Sequence, residues 1–320
     1  MNWYHAASPQ DRQEYDAFGP WIYELKSQAD MPPRFHSFYA SHQDADYLLK
    51  IPTKAERREM RPGMDLYVSV LAIKKDGICL MQLIDDAIVS RSVVWQQIAA
   101  VAFFKDLLNG RWMLLLTDGD RIDLSFSVVS SDLIDQVTAL VRTRCIANPP
   151  QDHPPLKQSP IKPPRDISRK ITDMFFRSAL SVMKIRGPKP VRPLYFDAQN
   201  QKCRDHKNKR RRTTGLMILA LPGELVIINR DSPTRKRFQA CYASVKLFIP
   251  YNRISGFWVH APIITKPARF HDLMLQLDDQ IITQPCLNKP QAVMDTLLAM
   301  NIPFLHAIDA PMDLSNHINK

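Results

Sequence analysis

Glycine is scarce in this chain, and its scarcity argues against the glycine-rich loops that bind nucleotides. Only 9 of the 320 residues are glycine, whereas an average protein contains about 7%. Neither G-x-G-x-x-G nor G-x-x-x-x-G-K-S/T, the motifs that cradle phosphate groups, occurs in the sequence. We therefore expect no nucleotide cofactor and, more generally, no cofactor.

Cysteine is also rare, and no hydrophobic run is long enough to cross a membrane. The 5 cysteines are odd in number and scattered, without a C-x-x-C pair. This pattern argues against a disulfide framework or a cysteine-bound zinc and favours a reducing compartment. Nowhere do about 18 apolar residues follow one another, and the first residues show no secretory signal. We expect a cytoplasmic protein without a transmembrane segment, either free or peripheral at the inner face of the membrane.

Signatures of catalysis and metal binding are missing as well. The sequence has no G-x-S-x-G nucleophile motif, and its 9 histidines include no H-E-x-x-H pair. Asp118, Asp120 and Asp123 resemble a set of magnesium ligands. However, side chains alternate along a strand, so Asp120 and Asp123 point to opposite faces. A turn and a solvated strand explain them better, and we expect no catalytic residue, no metal site and no enzymatic activity.

The positive charge of the chain is confined to its middle. The net charge is +11, and residues 151–215 alone hold 17 basic and 5 acidic side chains, a net charge of +12. The net charge is −3 for residues 1–50, zero for residues 51–150 and +2 for residues 216–320. Two nearly neutral blocks therefore flank a basic connector, which is the expected contact for an acidic partner.

Proline is abundant and marks a linker. Of the 25 prolines, seven lie between residues 148 and 166, a density that excludes helix and favours an extended spacer. A polyproline ligand for a partner domain is the alternative. With this linker the chain divides into an N-terminal aromatic segment (1–46), a first domain (47–147), the linker (148–166), a helical and basic connector (167–213) and a second domain (214–320).

Both domains show the alternation of short antiparallel strands, followed by one helix. In the first, Asp76-Gly77 and Asp118-Gly119 predict hairpins, the former with the positive φ angles of a type I′ turn, and Asn109-Gly110 predicts another turn. Apolar residues spaced three and four apart from Leu133 to Cys145 predict a closing helix. The same order recurs after Gly215.

The two strand blocks align as an internal repeat. Trp95-Gln96-Gln97-Ile98 matches Tyr251-Asn252-Arg253-Ile254, each an aromatic residue, two polar residues and isoleucine. In the first block 15 residues separate Asp118 from the helix residue Leu133, and the same spacing separates Asp278 from Val293. The matched order indicates two copies of one unit.

This pattern resembles the pleckstrin-homology-like (PH-like) fold, in particular the small bacterial PH-like domains, here in tandem over about two thirds of the chain. The resemblance implies a mostly β, α+β protein with two partly open antiparallel β-barrels, each closed by a C-terminal helix. It also implies binding of lipid headgroups, peptides or other subunits, without chemistry. Lys74 and Lys75 lie at the first hairpin, where headgroup-binding members have a lysine. The next strand lacks arginine, and the second copy has Glu224 in that place.

Two segments keep alternative interpretations open. The aromatic residues from Tyr15 to Tyr23 predict a strap packed on the first domain, with partner docking as the alternative. The amphipathic helix expected from Ile167 to Met183 either packs on a PH-like domain or lies on a membrane with its basic side outward.

The basic residues suggest where a phosphate group would bind, in the connector and in a loop that only the second copy has. We expect an adaptor that binds a protein partner or itself and uses these residues at an anionic membrane surface. The alternative is a nucleic-acid-associated protein that contacts phosphates with the same cluster, and a solvated loop without a ligand is the simplest explanation. The candidate residues are Lys207, Lys209, Arg210, Arg211, Arg212, Arg235, Lys236 and Arg237.

Overall fold

The protein is described here from a computed structural model. It covers residues 3–54, 57–149, 177–178, 182, 192–197, 202–204, 210–212, 215–230, 244–260, 271–287 and 290–305. The chain forms two compact units. The first contains Met1–Trp95, Leu108–Trp112 and Leu124–Val141, and the second contains Gln96–Leu107, Met113–Asp123 and Arg142–Lys320.

The described part of the chain is mostly antiparallel β-sheet with a few helices, which confirms the predicted α+β class. The helices are α1 (Trp3–Ala6), α2 (Pro9–Ala17), α3 (Ser131–Ala147) and α4 (Gln291–Ala299). Strands β1 to β8 are Tyr23–Glu24, Tyr47–Pro52, Tyr67–Ile73, Gly77–Ile84, Ala87–Val94, Ile98–Lys105, Asn109–Leu116 and Arg121–Ser127. Strands β9 to β17 are Arg192–Asp197, Lys202–Arg204, Arg210–Arg212, Gly215–Leu221, Glu224–Arg230, Ser244–Pro250, Gly256–His260, His271–Leu277 and Gln280–Leu287.

Four sheets arise from these strands. One has five strands in the order β1-β2-β3-β4-β5, and one has seven in the order β8-β7-β6-β14-β13-β12-β9. The remaining sheets are β15-β16-β17 and the two-stranded ribbon β10-β11. Burial follows position: in β8 buried residues alternate with half-exposed ones, whereas every residue of β12 is buried, because β12 lies between two neighbouring strands and is covered on both faces.

The repeat predicted from sequence corresponds to matching local structure. The first set of strands comprises β2 to β8, and the second comprises β9 and β12 to β17. Gly77 pairs with Val94 in the first set, and Glu224 pairs with Pro250 in the second. In each set a single 3₁₀ turn follows directly, Trp95–Gln97 or Tyr251–Arg253. The leading aromatic residue is 1% exposed in both turns. Each set then continues with three strands and a helix.

The seven-stranded sheet contains a pairing that the sequence did not predict. Strand β6, from the first strand block, is hydrogen bonded in antiparallel register to β14, from the second block, with Ser244 opposite Lys105 and Phe248 opposite Val101. Strand β14 is therefore central, with β13 on its other side. The domain boundaries at residues 147 and 214 remain predictions.

One turn prediction was wrong in position, and another was right in position but wrong in turn type. Asn109 and Gly110 begin β7, so the turn after β6 falls on the residues before them. The hairpin predicted at Asp76-Gly77 joins β3 to β4, but Gly77 does not have a positive φ. In the next turn Asp85 and Asp86 have positive φ angles of 48° and 66°. Two successive residues in this conformation form the type I′ turn between β4 and β5. Aspartate tolerates it because its short polar side chain bonds locally.

The N-terminal segment packs on the first unit, which confirms the strap interpretation. Phe18 is 1% exposed and Ile22 is 4% exposed. Phe18 contacts a cluster with Met60, Leu66 and Tyr67. The backbone N–H of Ile22 donates to the Ser130 hydroxyl at 2.8 Å, a buried hydrogen bond. The apolar residues of this segment therefore complete a core.

A candidate phosphate-binding ribbon

Three of the eight predicted site residues form a strand, β11. Arg210, Arg211 and Arg212 pair antiparallel with β10, and the register places Arg212 opposite Lys202, Arg211 opposite Cys203 and Arg210 opposite Arg204. Five of the six ribbon positions are thus basic. The helix predicted over 167–183 lies largely outside the described residues. The predicted site residues Lys207, Lys209, Arg235, Lys236 and Arg237 lie outside them entirely.

The ribbon brings together two groups of basic residues that are separate in the sequence. Lys202 and Arg204 alternate with other residues, which is the period of a strand, but the polar surroundings of this stretch favoured a loop. Directly opposite residues of an antiparallel pair are about 4.5–5.5 Å apart. The register thus gathers five basic residues in six positions of one hairpin, which makes the ribbon the best candidate site for an anion among the described residues.

The first unit contains a shallow depression beside the β3–β4 hairpin, lined by His42, Lys74 and Cys79 among others. Lys74 is the only basic residue that lines it besides His42. The Lys74 ammonium donates to the Ser41 carbonyl at 3.3 Å and lies 3.9 Å from the Asp44 carboxylate. Because its charge is already engaged, Lys74 is a weaker candidate for a phosphate group than the ribbon.

Glu224, which departs from the headgroup-binding pattern, has a structural role. Its carboxylate accepts two hydrogen bonds from Arg142, one from Nη2 at 2.6 Å and one from Nε at 3.1 Å. The Glu224 side chain is fully buried and that of Arg142 is 1% exposed. The Arg142 guanidinium also stacks 4.0 Å from the Phe248 ring centroid. Glu224 therefore holds the start of β13 to Arg142, and both residues belong to the second unit.

A second group of charged residues that sequence reasoning missed surrounds Lys50. Its ammonium lies 4.6 Å from the Tyr67 ring centroid and 5.7 Å from that of Tyr23. It donates to the Asp30 carbonyl at 3.1 Å. Burial lowers the pKa of Lys50, and Asp30 and Glu14 oppose this change. The sequence around Lys50 did not predict these contacts, because Tyr23 and Tyr67 are distant from Lys50 in the chain.

Glu14 leads to a testable pH dependence. Burial raises the pKa of Glu14, and the nearby Lys50 only partly offsets this. The folded state therefore holds the proton more tightly than the unfolded state, and this favourable contribution is lost as pH rises through the folded pKa. We expect Glu14→Gln to stabilise the protein at pH 7, with a gain that disappears below the ordinary glutamate pKa of about 4.3. Urea unfolding of the native protein and of Glu14→Gln, at pH 7 and below the ordinary glutamate pKa, measures this gain in the free energy of unfolding. An equal gain at both pH values would contradict the prediction.

The described part of the chain contains no candidate metal centre and no candidate membrane-spanning helix. Among the described residues, no group of three or more His, Cys, Asp or Glu side chains could hold a metal ion. Within the same ranges, no helix has the length and apolar character to span a bilayer. Cys79 and Cys145 are buried, and neither forms a disulfide bond.

Comparison with models of protein families and with curated proteins finds no match to this chain.

Proposed function

We propose that the protein is a non-enzymatic adaptor with two PH-like domains that associates with an anionic membrane surface through its basic connector. The observation that carries the proposal is the β10–β11 ribbon, where five of six positions are basic and two of the three register pairs consist of two basic residues. Clustered Lys and Arg residues are attracted to the anionic cytoplasmic leaflet. A peripheral location at the inner face of the membrane follows from this contact.

The repeated order of strands supports the PH-like part of the proposal. Each set contains four antiparallel strands, a 3₁₀ turn after the fourth strand, three further strands and a helix. Such a scaffold presents loops and sheet edges, and these surfaces bind other molecules in many unrelated proteins. An adaptor of this kind would therefore bind its ligands at the connector and at sheet edges.

The membrane contact can be tested by flotation with vesicles. Each basic residue near an anionic surface contributes about 1 kcal/mol, so replacing Arg210, Arg211 and Arg212 by Ala should weaken partitioning on the order of 100-fold. Folding should be unaffected, because surface changes usually alter stability by less than about 0.5 kcal/mol. The matched control replaces Lys54, Arg61 and Lys75, all exposed and outside the ribbon. Its net charge is the same, and its binding should be nearly unchanged.

Equal recovery of the native protein with neutral and phosphatidylserine-containing vesicles would overturn the membrane proposal. Equal losses in the ribbon and control variants would assign the attraction to net charge alone. A large loss of thermal stability in the ribbon variant would show that the arginines are structural.

Nucleic acid is the second candidate, because the major groove of B-DNA admits a two-stranded β-ribbon. Binding of this kind weakens with salt in proportion to the number of phosphates neutralised. Gel-shift titrations at rising salt should then show a log–log slope that falls by about 0.9 for each arginine removed from the ribbon. Absence of any shift at low ionic strength would end this alternative.

A further inference from the structure

Strand β5 is an exposed edge of the five-stranded sheet. In the five-stranded sheet β5 is terminal, and it pairs with β4. Its residues Ala87, Val89, Ser90, Ser92 and Val94 are exposed. An edge strand of this kind offers backbone N–H and C=O groups to another strand.

Other edges among the described strands carry features that discourage pairing. Strand β8, a terminal strand of the seven-stranded sheet, carries the charged residues Arg121 and Asp123. Strand β1 has 2 residues, and β9 and β17 contain Pro193 and Pro285, which cannot donate to a neighbouring strand. Strand β15 is covered by the segment after α4, because the Phe257 N–H donates to the Pro303 carbonyl at 3.0 Å and the Leu305 N–H donates to the Phe257 carbonyl at 2.8 Å. Strand β5 has eight residues, no proline and one charged residue, Arg91.

The second set of strands already uses the corresponding edge. In that set β14 corresponds to β5. Strand β14 pairs antiparallel with β13 as β5 pairs with β4, and each is followed by a 3₁₀ turn that begins with an aromatic residue. Its residues Ser244 to Phe248 pair antiparallel with β6. Counted back from the aromatic residue of the turn, these positions correspond to Ile88 to Ser92 of β5. The fold therefore accepts an added antiparallel strand at this position.

The geometry of the β4–β5 hairpin selects the residues that face outward. Ile84 and Ala87 flank the two-residue turn, and hydrogen-bonded pairs alternate from this point along an antiparallel hairpin. The backbone groups of Ala87, Val89 and Arg91 therefore face β4. Those of Ile88, Ser90, Ser92 and Val94 face away from β4. Ser90 is the middle residue of Ile88 to Ser92, the part of β5 that corresponds to the paired residues of β14.

We propose that β5 pairs with β5 of a second copy of this chain about a two-fold axis at Ser90. An isologous contact requires a strand that is complementary to itself. With Ser90 on the axis, Ser90 bonds to Ser90 of the second copy, Ile88 faces Ser92, and Arg91 faces Val89. A register centred on Arg91 would oppose two like charges, which destabilises a strand pair. The dimer does not depend on the proposed membrane function.

Light scattering coupled to gel filtration tests the dimer directly. The native protein should elute with the mass of two chains at high concentration and dissociate on dilution. Ser90→Pro removes the outward N–H while leaving the bonds to β4, and edge strands tolerate proline in this orientation. This variant should be monomeric with a native circular dichroism spectrum. Ser90→Ala keeps the N–H and should remain dimeric.

A cross-linking experiment tests the register independently of the proline variant. Cys79 is first replaced by Ala, because its sulfur lies 3.4 Å from the Ser90 hydroxyl and would capture a new thiol. In this background Ser90→Cys should form an interchain disulfide on oxidation, since hydrogen-bonded partners have Cα atoms about 5.5 Å apart, within the range for a disulfide. The matched control, Val89→Cys, faces Arg91 and should not cross-link.

A native protein that stays monomeric at high concentration would overturn the proposal, as would a folded Ser90→Pro variant that stays dimeric. Equal cross-linking at positions 89 and 90 would exclude the axis at Ser90. If Ser90→Pro does not fold, Ser90→Lys takes its place, because it puts two like charges opposite each other. A monomer that floats with anionic vesicles would leave the proposed function intact and reject only the dimer.

Discussion

Replacing Glu224 by Gln should lower the free energy of unfolding by about 3–5 kcal/mol, the range found when one partner of a buried ion pair is removed. Both side chains are almost inaccessible to water, and the carboxylate accepts two hydrogen bonds from Arg142. The variant would leave the Arg142 guanidinium in the interior without a counter-charge. Its stacking on Phe248 at 4.0 Å would recover only a small part of the lost interaction.

A double variant separates the charge pair from its volume. Replacing Arg142 by Met and Glu224 by Leu together removes both charges and keeps apolar bulk, and such exchanges are often neutral or stabilising. We therefore expect the double variant to be more stable than Glu224→Gln alone, with a large coupling energy in the double-mutant cycle. Because the chain has two compact units, denaturant unfolding alone does not report the stability of one unit. Hydrogen exchange of the backbone amides in β12 and β13 should therefore be measured as well, since these strands lie beside Glu224. A loss below about 1 kcal/mol for Glu224→Gln would contradict the expectation.

Replacing Gly223 by Ala should destabilise the second unit by about 2–4 kcal/mol, from two additive causes. Gly223 has a φ of +88°, and a left-handed conformation costs most residues roughly 1–2 kcal/mol. A Cβ atom at this position would also lie 2.8 Å from Cγ2 of Ile146. Since Pro222 fixes the preceding φ and a type II turn needs a positive φ next, the backbone has no easy alternative.

Gly119 is the matched control for Gly223. Its φ is +86°, and a Cβ atom there would meet nothing within 4 Å. Gly119→Ala should therefore show only the conformational cost of roughly 1–2 kcal/mol. Thermal and urea unfolding of both variants measure the difference. Equal losses would show that the contact with Ile146 contributes nothing and that the turn alone determines the effect.

Much of the secondary structure could be predicted because its signals are local. The alternation in β8 and the apolar stripe of α3 express the periods of strand and helix, which depend on neighbouring residues alone. The turn at Gly119 was predicted for the same reason, and Gly119 has the positive φ that favours glycine. The position of the turn at Asn109 and the type of the turn at Gly77 were predicted wrongly. A turn sequence alone does not determine the register of the strands that flank it.

The candidate site was predicted in part. A run of three arginines is visible in any reading of the sequence, and its attraction for anions follows from charge alone. Its pairing with β10, which adds Lys202 and Arg204, depends on a hairpin whose residues carry no apolar alternation. The Lys50 group was missed because its tyrosines are brought together only by folding.

The sequence by itself determined where the strands and helices of this protein fall, where its charge is concentrated and that its strand pattern repeats. The tertiary structure decided which distant residues meet: Arg142 with Glu224, β6 with β14, and Lys50 with its tyrosines. The reason is physical. Periodicity and turn chemistry act over a few residues, whereas burial of a charge or of a strand edge depends on the packing of segments far apart in the chain.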